Sequence, residues 1–246
     1  RQHKRSSRES LDCALALQEL VSMGVDNIIT FDAHDPRVQN AIPLSGFETV
    51  RPTYQFIKGL LRTVPDLIID SDHMMAISPD EGATGRAIYL ANVLGLDMGM
   101  FYKRRDYTRI VDGRNPIVAH EFLGSSVEGK DVIIIDDMIS SGDSILDVAK
   151  QLKARKANRI FAAATFGLFT NGMKKFDEAY EQGIIHGILT TNLIYQTPEL
   201  LSKPYYINCD LSKYIALLID TLNHDGSISS ILSPNERIQH VVQKYK

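Results

Sequence analysis

The chain contains little cysteine and no tryptophan. Its 246 residues include two cysteines, Cys13 and Cys209, which lie far apart in the sequence. Such a pair predicts neither a disulfide framework nor a zinc knuckle, so a reducing compartment is the default expectation. No hydrophobic run approaches the roughly 18 residues that a membrane span needs, and no signal-peptide pattern opens the chain. We therefore expect a cytoplasmic protein without a membrane partner.

Neither sign of charge is in large excess. Lys and Arg total 27 and Asp and Glu total 30, which gives a net charge of -3. This balance excludes a generally basic nucleic-acid coat, and the 44% of hydrophobic residues excludes disorder as a description of the whole chain. Four basic residues between Arg1 and Arg8 lack interleaved aromatic residues. They therefore favour phosphate or nucleotide binding over nucleic-acid binding.

Apolar segments alternate with amphipathic helical segments along most of the chain. This rhythm predicts an α/β fold with a parallel sheet and helices on both faces. We expect a domain boundary near residue 50, a loop over residues 37–50, and a strand at Leu67–Asp70 that precedes one at Met74–Ile77. Ligands of such sheets bind beyond the carboxyl ends of the strands, so the residues that follow each strand are the candidates for chemistry.

The segment from Val132 to Ser144, VIIIDDMISSGDS, has the strongest functional pattern. An apolar strand runs into the adjacent carboxylates Asp136 and Asp137, and a Ser-rich turn then opens a helix. Hydroxyls, backbone N–H groups and the positive helix end suit a phosphate, while paired carboxylates suit a sugar diol. The alternative is an ordinary acidic turn with a Ser N-cap. The combination of features favours a ligand site.

This segment resembles the phosphoribosyl-pyrophosphate-binding loop of type I phosphoribosyltransferase folds. Most of the chain, to about residue 232, resembles the ribose-phosphate pyrophosphokinase (phosphoribosyl pyrophosphate synthetase) family. Besides the loop, the matching segments occur in the family's order: Arg1-Gln2 with Arg8-Glu9, Ile29–His34, Ser78–Gly82 with Arg86-Ala87, Lys103–Arg105, and the tail around Leu211–Leu232. Each segment is weak alone, and their order and compatible spacing carry the resemblance.

The resemblance implies an architecture of two phosphoribosyltransferase-like domains. Residues 1–48 would be the C-terminal part of a first domain that is truncated at its N-terminus. Residues 49–232 would form the second domain with the sugar-phosphate loop, and residues 233–246 a helical extension. The family usually assembles into homo-oligomeric hexamers built from dimers, so the intact protein is expected to do the same.

The resemblance also implies a reaction and a set of roles. The family is a Mg²⁺-dependent diphosphokinase that transfers diphosphate from ATP to C1 of ribose 5-phosphate, which yields phosphoribosyl pyrophosphate and AMP for nucleotide biosynthesis. By match, the residues divide into four groups: Lys103 and Arg105 are catalytic; Arg1, Gln2 and His34 bind ATP; Asp80, Asp136, Asp137, Ser140, Ser141, Gly142, Asp143 and Ser144 bind ribose 5-phosphate; and His34 and Asp80 bind the metal.

Several positions depart from the family pattern. Ser140 stands where the synthetases usually have Asp, and His3 replaces an Asp in the opening segment. Asp143 lies in the variable position of the loop, where we expect its carboxylate to point away from a bound phosphate. Two alternatives therefore stay open beside the synthetase. One is a phosphoribosyltransferase, which needs neither the Lys103–Arg105 segment nor the ATP segment. The other is a non-catalytic regulatory associate of the synthetase.

Overall fold

A computed structural model of the protein describes residues 9–105 and 117–244, and for residues 103–105 and 117–120 it describes the backbone only. The described residues divide into two units, one that ends at Pro52 and one that begins at Thr53. Within the described ranges, each helix is too short or too polar to cross a membrane.

The first unit contains a two-stranded parallel sheet. Helix α1 (Asp12–Ser22) precedes strand β1 (Asn27–Phe31), and β1 pairs with strand β2 (Gly46–Val50). A 3-10 helix over Pro36–Ala41 connects the strands. The expected loop over residues 37–50 is therefore wrong. Proline at the start of the 3-10 helix and pairing of β2 with β1 supply the backbone order that the local sequence did not signal.

A seven-stranded sheet forms the centre of the second unit. Its strand order is β5-β4-β3-β6-β7-β8-β9, and every neighbouring pair is parallel except β4 with β5. The bounds are β3 (Met74–Ser78), β4 (Asp97–Arg105), β5 (Ile117–Leu123), β6 (Asp131–Ile139), β7 (Ile160–Gly167), β8 (Gly187–Thr191) and β9 (Tyr206–Cys209). The α/β fold with a mostly parallel sheet is confirmed.

Helices cover both faces of this sheet, because its central strands are apolar on both sides. The helices are α2 (Thr53–Thr63), α3 (Thr84–Leu94), α4 (Asp143–Ala154), α5 (Lys174–Glu181), α6 (Pro198–Leu201), α7 (Ser212–Asn223), α8 (Ser229–Leu232) and α9 (Asn235–Lys244). Apolar residues of α4, α5 and α6 pack on one face, and those of α2, α3 and α9 pack on the other. The sheet is thus the middle layer of three.

The strand expected at Leu67–Asp70 is absent, and this expectation is wrong. Leu67 and Ile69 are buried in the core layer that contains α2. Leu67 N–H donates to the Val64 carbonyl in a turn, while the Asp70 carboxylate accepts from the N–H groups of the following residues. The residues of this segment are therefore apolar because a connecting loop is buried, and not because the segment pairs as a strand.

The strand order creates a crevice at the carboxyl ends of two central strands. From β3 the chain continues to β4 on one side, whereas β6 lies on the other side of β3. Such a reversal of strand order opens a gap between the connections at the carboxyl ends of the two strands, and ligands of open α/β sheets bind there. The residues that follow β3 and β6 flank this switch point.

Candidate functional site

Two adjacent carboxylates lie at the carboxyl end of β6. Asp137 is buried, with 3% of its surface exposed, and Asp136 is partly exposed. Asp137 N–H donates to Asp136 Oδ1 at 2.8 Å, and the two carboxyl groups also contact each other. Both side chains lie beside the switch point because the apolar run that precedes them forms a central strand.

Asp80 stands across the crevice, after β3. Its Oδ1 accepts from Ala83 N–H at 3.2 Å, and its carbonyl accepts from the hydroxyls of Ser78 and Thr84. These bonds hold the Ser78–Thr84 turn in one conformation ahead of α3. Asp80 is close enough for its charge to act on Asp136. The tertiary structure thus brings together carboxylates that are 56 residues apart in the sequence.

The electrostatics of this cluster favour a ligand that supplies hydroxyl groups or positive charge. Burial raises the pKa of Asp136 to about 8, and the contact with Asp137 and the charge of Asp80 act in the same direction. A carboxyl group with a raised pKa is one whose negative charge is poorly stabilised by its surroundings. Sugar hydroxyls that donate to it, or a cation nearby, would supply the missing stabilisation.

The turn after β6 connects these carboxylates to helix α4. Gly142 is the N-cap of α4 and has a left-handed conformation, with φ of 84°. It is buried, and a Cβ at this position would collide with the ring of Phe176. Glycine is therefore required here both by conformation and by space. The hydroxyls of Ser140, Ser141 and Ser144 lie on the same turn as the positive end of a 12-residue helix.

The segment after β7 supports this turn through backbone hydrogen bonds. Leu168 N–H and Phe169 N–H donate to the Ile139 carbonyl at 2.8 and 3.4 Å, and Thr170 N–H donates to the Ser140 carbonyl at 3.0 Å. Phe169 also packs edge-on against Phe176 of α5, with ring centroids 5.3 Å apart. The turn is therefore held by backbone bonds and an aromatic pair before any ligand binds.

Asp143, the first residue of α4, forms an ion pair with a residue of α5. Its Oδ1 is 2.5 Å from Lys175 Nζ, and its Oδ2 accepts from Ser141 Oγ at 3.0 Å. The Lys175 hydrogen bond is the largest cause of a lowered Asp143 pKa, and the Ser141 bond adds to it. The carboxylate within the turn is thus ionised and neutralised by a cation.

The segment assigned to catalysis also lies at the carboxyl ends of the strands. The backbone of Lys103–Arg105 ends strand β4, where Lys103 is in register with His120 and Arg105 with Ile117. The register shifts between Arg104 and Arg105. Because β4 is parallel to β3, this end of β4 is on the carboxyl side, together with Asp80 and Asp136.

The residues assigned to ATP do not belong to the second unit as the structure describes it. Arg1 and Gln2 lie outside the described residues. His34 belongs to the first unit and follows β1, beside Asp32, which has a left-handed φ of 46°. In the same loop, Asp35 is the N-cap of the 3-10 helix and pairs with Arg37. The ATP-binding and metal roles of His34 stay predictions.

Comparison with known proteins bears on this arrangement. The family model of the phosphoribosyl synthetase-associated domain matches residues 111–233, which is half of the chain. The chain belongs to this family. The ribose-phosphate pyrophosphokinase of Shewanella oneidensis is 29% identical over 93% of this chain and 68% of its own length, and that of Mycoplasma genitalium is 27% identical over 93% and 65%. The resemblance to this family seen in the sequence motifs is confirmed.

A solved structure agrees at the level of fold. The phosphoribosylpyrophosphate synthetase of Mycobacterium smegmatis superposes with a TM-score of 0.74 and 22% identity, over 91% of this chain and 67% of that one. The phosphoribosyltransferase-like fold of the chain is thus that of a known synthetase.

Sequence reasoning missed the residues that support the loop. Lys175 and Phe176 are more than 30 positions from Asp143, and nothing in their local sequence points to a ligand. The rule of inspecting residues after each strand would have led to Leu168–Thr170, which follow β7. Their role is to hold the turn through backbone bonds, a role that side-chain identity does not reveal.

The carboxylates at the switch point fit a magnesium ion. Carboxylate oxygens are ligands that Mg²⁺ prefers, and the ion is usually held by one or two carboxylates together with substrate phosphates. In the part of the chain that the structure describes, no group of three or more Asp, Glu, His or Cys side chains forms a ready metal cage. The metal role of Asp80 stays a prediction.

Proposed function

We propose that this chain carries a ribose-phosphate diphosphokinase, which transfers diphosphate from ATP to C1 of ribose 5-phosphate. One observation carries the proposal: the Asp136–Asp137 pair and the Ser140–Ser144 turn stand together at the switch point of the sheet, opposite Asp80. The relatives named ribose-phosphate pyrophosphokinase support this choice of activity.

The loop residues are proposed to hold the acceptor substrate. Ser140, Ser141, Ser144 and the first N–H groups of α4 would receive the 5-phosphate, since a helix N-terminus attracts anions. Asp136 and Asp137 would accept hydrogen bonds from the ribose hydroxyls. The raised pKa of Asp136 supports this role, because donated hydrogen bonds stabilise the charged carboxylate. Gly142 leaves room for the Phe176 ring that supports the turn.

The donor side is proposed to rest on charged residues outside this loop. Arg1, Gln2 and His34 would bind ATP, and Lys103 and Arg105 would stabilise the diphosphoryl group during transfer. Mg²⁺ held by Asp80, and by His34 as the family match implies, would neutralise the triphosphate charge. In the reaction, the C1 oxygen of ribose 5-phosphate forms a bond to the β-phosphorus of ATP. The bond from that phosphorus to the oxygen that it shares with the α-phosphorus breaks. AMP leaves, and the hydroxyl proton is released.

The assembly and cellular place follow from the same proposal. We expect a homo-oligomer built from dimers, with a hexamer as the full assembly, that works in the cytoplasm. Helix α7 leaves Leu217, Ile219 and Leu222 exposed by 43, 62 and 45%, which is consistent with an association surface. Sedimentation equilibrium of the chain would give its oligomeric state.

The test is AMP formation from ATP and Mg²⁺, with and without ribose 5-phosphate, with free ribose as the matched control. Release of AMP that requires ribose 5-phosphate supports the synthetase. Ser140 and His3, which depart from the family pattern, keep the regulatory associate as a second candidate. That candidate predicts binding of ribose 5-phosphate or its pyrophosphate without AMP release, and a phosphoribosyltransferase predicts pyrophosphate release from phosphoribosyl pyrophosphate with a base.

A further inference from the structure

We propose that Lys175 is a phosphate-binding residue of the sugar-phosphate loop, held ready by Asp143 until the ligand arrives. This inference rests on the proposed function, because it assigns a new contact to the same 5-phosphate site. It concerns Lys175 at the start of α5, a residue that neither the sequence motifs nor the comparisons assign, and its ion pair with Asp143 of the loop.

The first step of the argument is the charge problem that Asp143 creates. A sugar phosphate carries up to two negative charges, and a carboxylate on the first turn of α4 would repel it. Lys175 Nζ lies 2.5 Å from Asp143 Oδ1 and cancels that charge. The loop of this chain therefore presents a neutral pair to an incoming phosphate rather than an acid.

The second step is that α5 has a fixed position against the loop. Phe176, the neighbour of Lys175, packs directly under Gly142 and against Phe169. The backbone of Leu168–Thr170 is bonded to the carbonyls of Ile139 and Ser140. Lys175 is therefore presented to the loop by a rigid support, while its long side chain keeps the freedom to change partners.

The third step is that the pair has no stabilising role that explains it. Its two side chains are 53% and 58% exposed, and exposed ion pairs contribute little to stability. A phosphate offers the ammonium group more negative charge than one carboxylate does. Exchange of Lys175 from Asp143 to the phosphate is thus the favourable direction.

The test measures ribose 5-phosphate and inorganic phosphate binding by calorimetry, with free ribose as a phosphate-free probe. We expect Lys175→Gln to weaken ribose 5-phosphate binding about 10- to 100-fold, the usual cost of a lost charged hydrogen bond. Lys174→Gln is the matched control, since Lys174 is its neighbour and is 88% exposed near Glu178. It should change affinity by less than about twofold. Free ribose should bind all variants alike.

Two further variants separate a binding role from a structural one. Lys175→Arg keeps the charge and should restore most of the affinity. Asp143→Asn releases the lysine and removes the repelling carboxylate, so it should tighten ribose 5-phosphate binding about two- to fivefold. In steady-state kinetics, Lys175→Gln should raise KM for ribose 5-phosphate and leave kcat nearly unchanged, because the 5-phosphate is remote from the reacting C1 oxygen.

The outcomes distinguish this inference from the proposed function. If the wild type binds ribose 5-phosphate and Lys175→Gln binds it equally well, the lysine assignment is wrong while the synthetase proposal stands. If phosphate binds in a Lys175-dependent manner but ribose 5-phosphate gives neither binding nor AMP, the lysine assignment holds and the synthetase proposal fails. Weaker binding by Asp143→Asn, or no phosphate binding by any variant, overturns the exchange.

Discussion

The carboxylates at the two ends of strand β6 have opposite electrostatic surroundings. At the amino end, Asp131 is 6% exposed, and Arg159 Nη2 lies 2.7 Å from its Oδ2. Asn158 Nδ2 and Arg159 N–H also donate to Asp131, so its charge is paired and hydrogen-bonded. At the carboxyl end, Asp136 is beside Asp137 and Asp80, and its pKa is raised.

The difference separates structural charge from charge that is available to a ligand. Arg159 joins β6, β7 and the loop of Asp66 into one network, in which the buried charge of Asp131 is already paired. The carboxyl end holds carboxylates whose neighbours carry the same sign. Proteins keep such costly clusters mainly at functional sites, where a substrate or metal supplies the compensation. The variants below test that separation.

The largest effect is expected from Lys103→Ala at the carboxyl edge of the sheet. Loss of the cation proposed to stabilise the diphosphoryl group should lower kcat about 10³-fold, or about 4 kcal/mol of transition-state stabilisation. Ribose 5-phosphate binding should be nearly intact, because the loop after β6 is the segment proposed to hold that substrate. Calorimetric binding and AMP release measured on the same preparation check both. An equal loss of binding and turnover would contradict the assignment.

At the amino end, Arg159→Met should lower the free energy of unfolding by about 3 kcal/mol, because it leaves Asp131 buried without its cation. KM for ribose 5-phosphate should not change, since the network lies at the other end of β6. Urea unfolding and steady-state kinetics measure the two quantities. Asp66→Asn is the control, because it removes only the exposed partner of the same arginine and should have little effect. A raised KM in Arg159→Met would break the separation of the two ends.

The pH dependence of stability gives a smaller test at the carboxyl end. The pKa of Asp136 is about 8 in the folded protein and near 3.8 when unfolded, so the native state binds the extra proton between these values. Stability relative to Asp136→Asn should therefore fall as pH rises from about 4 toward about 8, and then level off.

The measurement is the Tm of both proteins across this range, and we expect the wild-type Tm to fall relative to that of Asp136→Asn as the pH rises. Asp143→Asn is the comparison variant. The pKa of Asp143 is lowered, so its carboxylate is charged throughout this pH range. The difference in Tm between Asp143→Asn and the wild type should therefore not change with pH. A constant difference for Asp136→Asn as well would mean that Asp136 is charged and stabilised in the free protein.

The smallest effect is expected from Gly142→Ala in the turn between these carboxylates and α4. The backbone of Gly142 is left-handed, and the added methyl group must displace the Phe176 ring. Together these effects should cost about 1 to 2 kcal/mol of stability. The displaced turn should also weaken ribose 5-phosphate binding. Gly85→Ala is the control, because it lies inside α3 with nothing within 4 Å of its added Cβ. Loss of stability without loss of binding would show that the turn tolerates the shift.

The sequence predicted the second unit better than the first. Its apolar strands and the Asp136–Ser144 motif are local patterns, and the strand-end rule selected the residues after β3 and β6, where the charge of Asp80 acts on Asp136. The strand expected at Leu67–Asp70 failed because burial of a connecting loop and pairing in a sheet produce the same apolar run. Strand β2 was missed because its partner β1 supplies its hydrogen bonds, and Pro43 and Gly46 beside it are typical of loops.

The amino-acid sequence by itself determined the α/β class, the family and the loop that would receive a sugar phosphate. These depend on residue types at short spacing and on the order of the motifs along the chain. Only the tertiary structure decided that Asp80 faces Asp136, that Phe176 requires Gly142, and that Lys175 neutralises Asp143. Each of these pairs joins segments that are distant along the chain. Packing of the sheet and its helices sets their distances, and no local pattern encodes that packing.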